Sequence, residues 1–109
     1  MIELNKENFE TEVLNSEKPV FVDFWGDKCE ICKELMPGVH GLEEKYGDKI
    51  KFSSLNISSA RRLAIGQKVL GLPTMIIYKA GEKVSTITPD KISSLEDVEG
   101  FIKGYYETL

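Results

Sequence analysis

The chain has 109 residues, of which 41% are hydrophobic and 29% charged, the balance of an ordinary globular protein rather than a disordered or fibrous one. That length suits a single domain, 1–109, able to bury one usable core. Acidic residues outnumber basic ones by 18 to 14 and the longest basic cluster is the pair Arg61-Arg62, which excludes a phosphate-binding surface for nucleic acid.

Near the start, Ile2 and Leu4 alternate with polar residues and predict a short edge strand. Asn5 or Asn8 then caps a helix whose apolar face carries Phe9 and Val13, ended by Lys18-Pro19. Val20 to Trp25 is a nearly continuous apolar run, the pattern of a strand covered on both faces. Its one charged member is Asp23. After Gly26 the period changes: Ile31, Leu35, Val39, Leu42 and Tyr46 recur at helical spacing, with Pro37 inside the helix as a kink.

Ile50 to Ile57 supplies another strand, and Ser58 or Ser59 caps a shorter helix with Ala60, Leu63 and Ala64. Gly71-Leu72-Pro73-Thr74 leads into the strand Met75 to Tyr78, and Ala80-Gly81 turns the chain into Lys83 to Thr88. A last helix runs from about Ser94, with Leu95, Val98, Ile102, Tyr105 and Leu109 on one face. The order β-α-β-α-β-α-β-β-α predicts an α/β fold, a mixed sheet with helices on both faces. The first pairs of elements are expected as right-handed crossover units.

The chain has only two cysteines, Cys29 and Cys32. They cannot build a secreted disulfide scaffold, and with His40 as the one further soft ligand they cannot close a zinc site. The N-terminal residues carry charges where a signal peptide has an apolar core, and no apolar run approaches the ~20 residues that span a bilayer. These features point to the cytoplasm, with no membrane partner. There a close cysteine pair is more often reactive than structural.

The pair sits where an apolar strand turns into a helix. A thiolate at that point meets free backbone N–H groups and the positive end of the helix dipole, both of which favour the charged sulfur. Cys29, nearer the helix end and solvent, is the expected nucleophile, and Cys32, one turn further in, the resolving thiol. A stapling disulfide is a poor alternative, because so small a loop restricts the unfolded chain little. A metal half-site completed by a second copy stays open.

Val22-Asp23-Phe24-Trp25-Gly26-Asp27-Lys28-Cys29-Glu30-Ile31-Cys32-Lys33 resembles the active-site segment of the thioredoxin family. Pro37 matches that family's helix-kinking proline and Gly71-Leu72-Pro73-Thr74 its cis-proline loop, so the resemblance extends over nearly the whole chain. Glu44 to Phe52 and Ala60 to Ile65 are more specifically similar to thioredoxins associated with glycine reductase in amino-acid-fermenting anaerobes.

The resemblance implies a thioredoxin-like fold with a cis peptide before Pro73, where the backbone of Leu72 pairs with an extended substrate segment. It also implies a flat apolar patch of Trp25, Ile31, Leu72 and Pro73 that receives partners, and a buried Asp23 that assists proton transfer at Cys32. The implied activity is thiol-disulfide exchange on disulfide-bearing proteins, with no bound cofactor, by a monomer recycled by a flavoprotein thioredoxin reductase. A glycine reductase selenoprotein is one implied downstream partner. The alternative from another class is a thioredoxin-fold binding module without turnover.

Three departures from the family pattern bear on chemistry. Ser54 stands where the usual lysine partner of the buried acid would fall, so Asp23 is expected to stay protonated to a higher pH. Glu30-Ile31 replaces the common Gly-Pro between the cysteines, leaving one more N–H for the Cys29 sulfur. Glu30 and Asp27 oppose a thiolate and Lys28 partly offsets them, which predicts a more reducing couple than a Glu30→Gln variant would show. His40 is read as a surface residue. Arg61-Arg62, Lys28 and Lys33 are candidates for steering an acidic partner, with a solvated face the preferred reading of the arginine pair. Tyr105-Tyr106 are read as helix packing plus one exposed ring.

Overall fold

In the strand Val20–Trp25 (β2), successive side chains go to opposite faces. Val20, Val22 and Phe24 join one apolar cluster, and Phe21 joins another. The computed structural model, which describes residues 1–109, extends this sorting across one five-stranded sheet. Its strands are Ile2–Leu4 (β1), β2, Lys51–Asn56 (β3), Thr74–Lys79 (β4) and Glu82–Ile87 (β5), in the spatial order β1-β3-β2-β4-β5. β3 pairs in parallel with β1 and β2, while β4 runs antiparallel to both β2 and β5. The sheet is mixed and helices cover both faces, the thioredoxin-like α/β arrangement.

On one face lie the helices Glu30–Tyr46 (α1) and Leu95–Tyr106 (α3). Leu35, Val39 and Leu42 of α1 and Val98 and Ile102 of α3 pack there on Phe21, Phe52, Met75 and Ile77. Gly38 permits the close approach of the two helices, since a Cβ there would fall 2.5 Å from Leu95 Cδ2. The other face holds the short helix Arg61–Gly66 (α2) and a π-helical turn at Glu10–Leu14, with Phe9, Val13 and Ala64 packed on Val22, Leu55 and Tyr78.

Several local expectations are corrected. The first helix is only the π-helical turn: Asn5 and Asn8 accept from each other's backbone N–H, and this local exchange replaces a first helical turn. β3 stops at Asn56, whose Oδ1 accepts from the N–H of Ser58 at 3.0 Å and bends the chain into a 3-10 turn at Ile57–Ser59. Neither serine caps α2. Ser58 Oγ accepts from the N–H of Asp27, and Ser59 Oγ donates to the carbonyl of Asn56. β1 and β2 lie on either side of β3 and both run parallel to it, so the connections β1 to β2 and β2 to β3 are both crossovers between parallel strands of one sheet. Tyr105 and Tyr106 are both half-buried, the latter donating to Asp48, so neither ring is fully exposed.

The β4–β5 hairpin turns through Ala80 and Gly81, at φ +55° and +80°. Two positive φ values in a two-residue turn match the right-handed twist of the flanking strands. The pairing slips by one residue between Ile77 and Tyr78, a bulge, and β5, last in the sheet order, is a mostly exposed edge. No helix is long and apolar enough to cross a membrane.

Candidate active site

Between β2 and α1 the chain makes a short turn, held by a bond from the N–H of Cys29 to the carbonyl of Gly26 at 3.1 Å. Asp27 ties this turn to the one after β3. Its N–H donates to Ser58 Oγ at 3.0 Å, and its Oδ1 accepts from Asn56 Nδ2 at 2.8 Å. Gly26 allows a third neighbour in: a Cβ at that position would sit 2.9 Å from Leu72 Cδ1. The Leu72-Pro73 peptide is cis, and Thr74 Oγ1 pins this loop by donating to the carbonyl of Gly71 at 2.7 Å.

Cys29 is the N-cap of α1 in extended conformation (φ −91°, ψ 98°), and its sulfur accepts from the N–H of Cys32 at 3.3 Å. That is a standard capping contact with sulfur in place of oxygen, and it puts Sγ at the positive end of a 17-residue helix. The donor is Cys32 N–H, whereas the extra N–H of the Glu30-Ile31 pair makes no bond to this sulfur. The two cysteines form a disulfide, with Cα atoms 5.3 Å apart. Cys29 is half-buried and Cys32 only 2% exposed, so the outer sulfur is the one a partner can reach.

Asp23 lies on the α1-facing side of β2, paired in register with Ser54 of β3 and Met75 of β4. It is 1% exposed and its Oδ1 has no hydrogen-bond partner. Burial, the sole cause acting on it, pushes its carboxyl from 3.8 up to about 7. The neighbour on β3 is a neutral hydroxyl where a lysine would have supplied a countercharge. Glu30 is exposed and pairs with Lys33 at 3.4 Å, one turn along α1. The negative charge beside Cys29 is therefore partly met by Lys33, a contact absent from the sequence-based account, while Lys28 is exposed at the turn.

Of the residues expected to form one apolar patch, two line surface hollows. Leu72 lines a groove of about 740 Å³ together with Cys29, Lys28, Ile57, Arg61, Ile65 and Leu70. Trp25 instead lines a second hollow of about 510 Å³, with Lys33, Met36, Pro37 and His40. Ile31 is half-buried against the α1–α3 core, and Pro73 is buried. Ile65 and Leu70 are groove residues that sequence reading missed, and Arg61, expected first on a solvated face, lines the groove as well. The available signal was Leu70, an apolar residue directly before Gly71 in a loop with no helical or strand period.

The thioredoxin family model matches residues 1–103. The chain belongs to the thioredoxin family. It is 48% identical over 105 residues to the thioredoxin of Acetoanaerobium sticklandii, covering 96% of this chain and 99% of that one. It is 47% identical over 102 residues to the thioredoxin of Peptoclostridium acidaminophilum, covering 94% and 92%, and 39% identical over 85 residues to that of Streptomyces clavuligerus, covering 78% of each. The first two organisms are amino-acid-fermenting anaerobes. As a thioredoxin-type thiol-disulfide oxidoreductase, the protein uses its own Cys29–Cys32 pair as the redox group.

Proposed function

We propose that this thioredoxin-family protein, acting as one domain over 1–109, is a cytoplasmic electron carrier that reduces disulfides in other proteins and is recycled by a flavoprotein reductase. The observation that supports this direction most is the pairing of a reachable Cys29 sulfur at a helix N-terminus with a buried Cys32 behind it. The alternative of a binding module without turnover does not account for a reachable sulfur backed by a buried one.

In the dithiol form, the Cys29 thiolate attacks one sulfur of the target disulfide, and the other sulfur leaves as a thiolate that takes a proton. A mixed disulfide results. Cys32 then loses its proton and attacks the Cys29 sulfur, which expels the second target thiolate. Two electrons pass to the target, whose two thiolates take up one proton from water and the equivalent of the one Cys32 gives up, and the protein is left as the Cys29–Cys32 disulfide. Asp23, which burial holds near neutrality, is suited to receive the Cys32 proton at physiological pH. Lys28 and Glu30 act on the stability of the Cys29 thiolate. Leu72, which lines the groove with Cys29, receives the partner together with Trp25, Ile31 and Pro73. The likeness to thioredoxins of amino-acid-fermenting anaerobes supports a glycine reductase selenoprotein among the targets.

Insulin-disulfide reduction with dithiothreitol as the electron source tests this reading. The native chain should turn over, Cys29→Ser should not, and Cys32→Ser should accumulate a mixed disulfide on Cys29. Turnover by Cys29→Ser, or none by the native chain, would overturn it.

A further inference from the structure

Leu70 and Ile65 are 87% and 63% exposed, the two most exposed large apolar side chains of the molecule. Both line the groove that holds Cys29. Isolated surface leucines need no explanation, but exposed apolar side chains lining one groove with a reactive sulfur mark a place where something is received. The groove is also lined by Lys28 and Arg61, against the single carboxylate of Asp27. A chain of net charge −4 thus has a groove at its reactive sulfur in which basic side chains outnumber acidic ones by two to one. Arg62, adjacent in sequence to Arg61, does not line the groove.

We propose that Arg61 and Leu70 set partner specificity, selecting disulfide-bearing proteins in which an extended segment next to the reactive cysteine carries an apolar residue and a carboxylate. This rests on the oxidoreductase reading above and adds to it the chemistry of the partner. The apolar residue is covered by Ile65 and Leu70, and the carboxylate faces Arg61 and Lys28. The charge contribution acts chiefly on encounter and selection rather than on the sulfur exchange itself. The Glu30–Lys33 pair lessens the repulsion that Glu30 would otherwise direct at such a partner.

The test uses three synthetic peptide disulfides that differ only beside the cysteine, carrying Leu-Asp, Leu-Lys or Ser-Ser, with kcat/KM measured on the full-length dithiol protein at low and high salt. The native chain should favour Leu-Asp over Leu-Lys by about three- to tenfold at low salt, as expected for exposed charge pairs, and lose that preference in high salt. Arg61→Glu should invert the preference, whereas Arg62→Glu, the same change in net charge, should leave it intact. Leu70→Ser should lower kcat/KM for the leucine-bearing peptides about fivefold relative to Ser-Ser, as partial burial of one leucine implies. Equal rates for Leu-Asp and Leu-Lys, or equal effects of Arg61→Glu and Arg62→Glu, would overturn the proposal. Insulin-disulfide reduction by the native chain is followed in parallel. Its failure would instead overturn the oxidoreductase reading beneath.

Discussion

Replacing Asp23 with asparagine should stabilise the disulfide form far more in mild alkali than in mild acid. Asp23 is 1% exposed, its Oδ1 has no partner, and burial raises its carboxyl from 3.8 to about 7. Between those two values the folded protein holds a proton that the unfolded chain has already released. Stability is therefore undiminished below the lower value and is lost as pH rises through the upper one. At 1.36 kcal/mol per pH unit the complete loss is about 4 kcal/mol. That is a large share of the roughly 5–15 kcal/mol that keeps a domain folded.

About 2.5 kcal/mol of it falls between pH 5 and pH 8.5 by the same linkage. Asparagine keeps the shape and polarity of the protonated acid and cannot ionise. Guanidinium denaturation of both oxidised proteins at these two pH values measures the effect. The variant should gain about 2–3 kcal/mol on the native chain in going from pH 5 to pH 8.5. A gap of equal size at both would refute the assignment of a buried, unpartnered charge.

Ser54→Lys would place an ammonium at the position registered against Asp23, one strand spacing away, and should pull the carboxyl midpoint below its present value of about 7. NMR titration of the Asp23 carboxyl checks this, and an unmoved midpoint would contradict it. Glu30→Gln should make the couple less reducing, but by no more than about 20 mV, because an exposed, paired charge contributes at most about 1 kcal/mol and 30 mV corresponds to 1.4 kcal/mol. Equilibration with glutathione buffers reads this, and a shift beyond about 40 mV would show a stronger coupling to Cys29 than its exposure allows. Ala80→Gly should stabilise the hairpin by about 0.5–1 kcal/mol, since the strain of a left-handed alanine outweighs the added freedom of glycine in the unfolded chain. Thermal unfolding checks the sign, and a lower midpoint would refute it.

What the sequence displays well is whatever repeats along one element. The four-and-three spacing from Ile31 to Tyr46 corresponds to α1, and the apolar run Val20 to Trp25 to a central strand with its one misplaced carboxyl. Cys29 and Cys32 were legible because their spacing and the strand-turn-helix context are both local. The elements that went astray were decided by side chains bonding to backbone across turns. Asn56 ends β3 early, and Ser58 is drawn away from α2 to the N–H of Asp27, 31 residues back. The groove was illegible for a related reason. Cys29, Arg61, Leu70 and Leu72 meet only after three loops converge at one end of the sheet, and no period in the chain reports that.

The exposed edge at β5 bears on how such a protein avoids the wrong partners. On the reading proposed above, targets arrive as extended segments, and a free sheet edge is a competing place for them to attach. Glu82 and Lys83 put opposite charges at the start of that strand, Lys83 reaches over to the carbonyl of Gln67, and the slip at Ile77/Tyr78 spoils a regular ladder. At the opposite edge, β1 is only three residues long. Both borders of the sheet thus discourage strand capture, which leaves the loop at Leu72 as the place where a visiting chain can align, beside the sulfur that is to react with it.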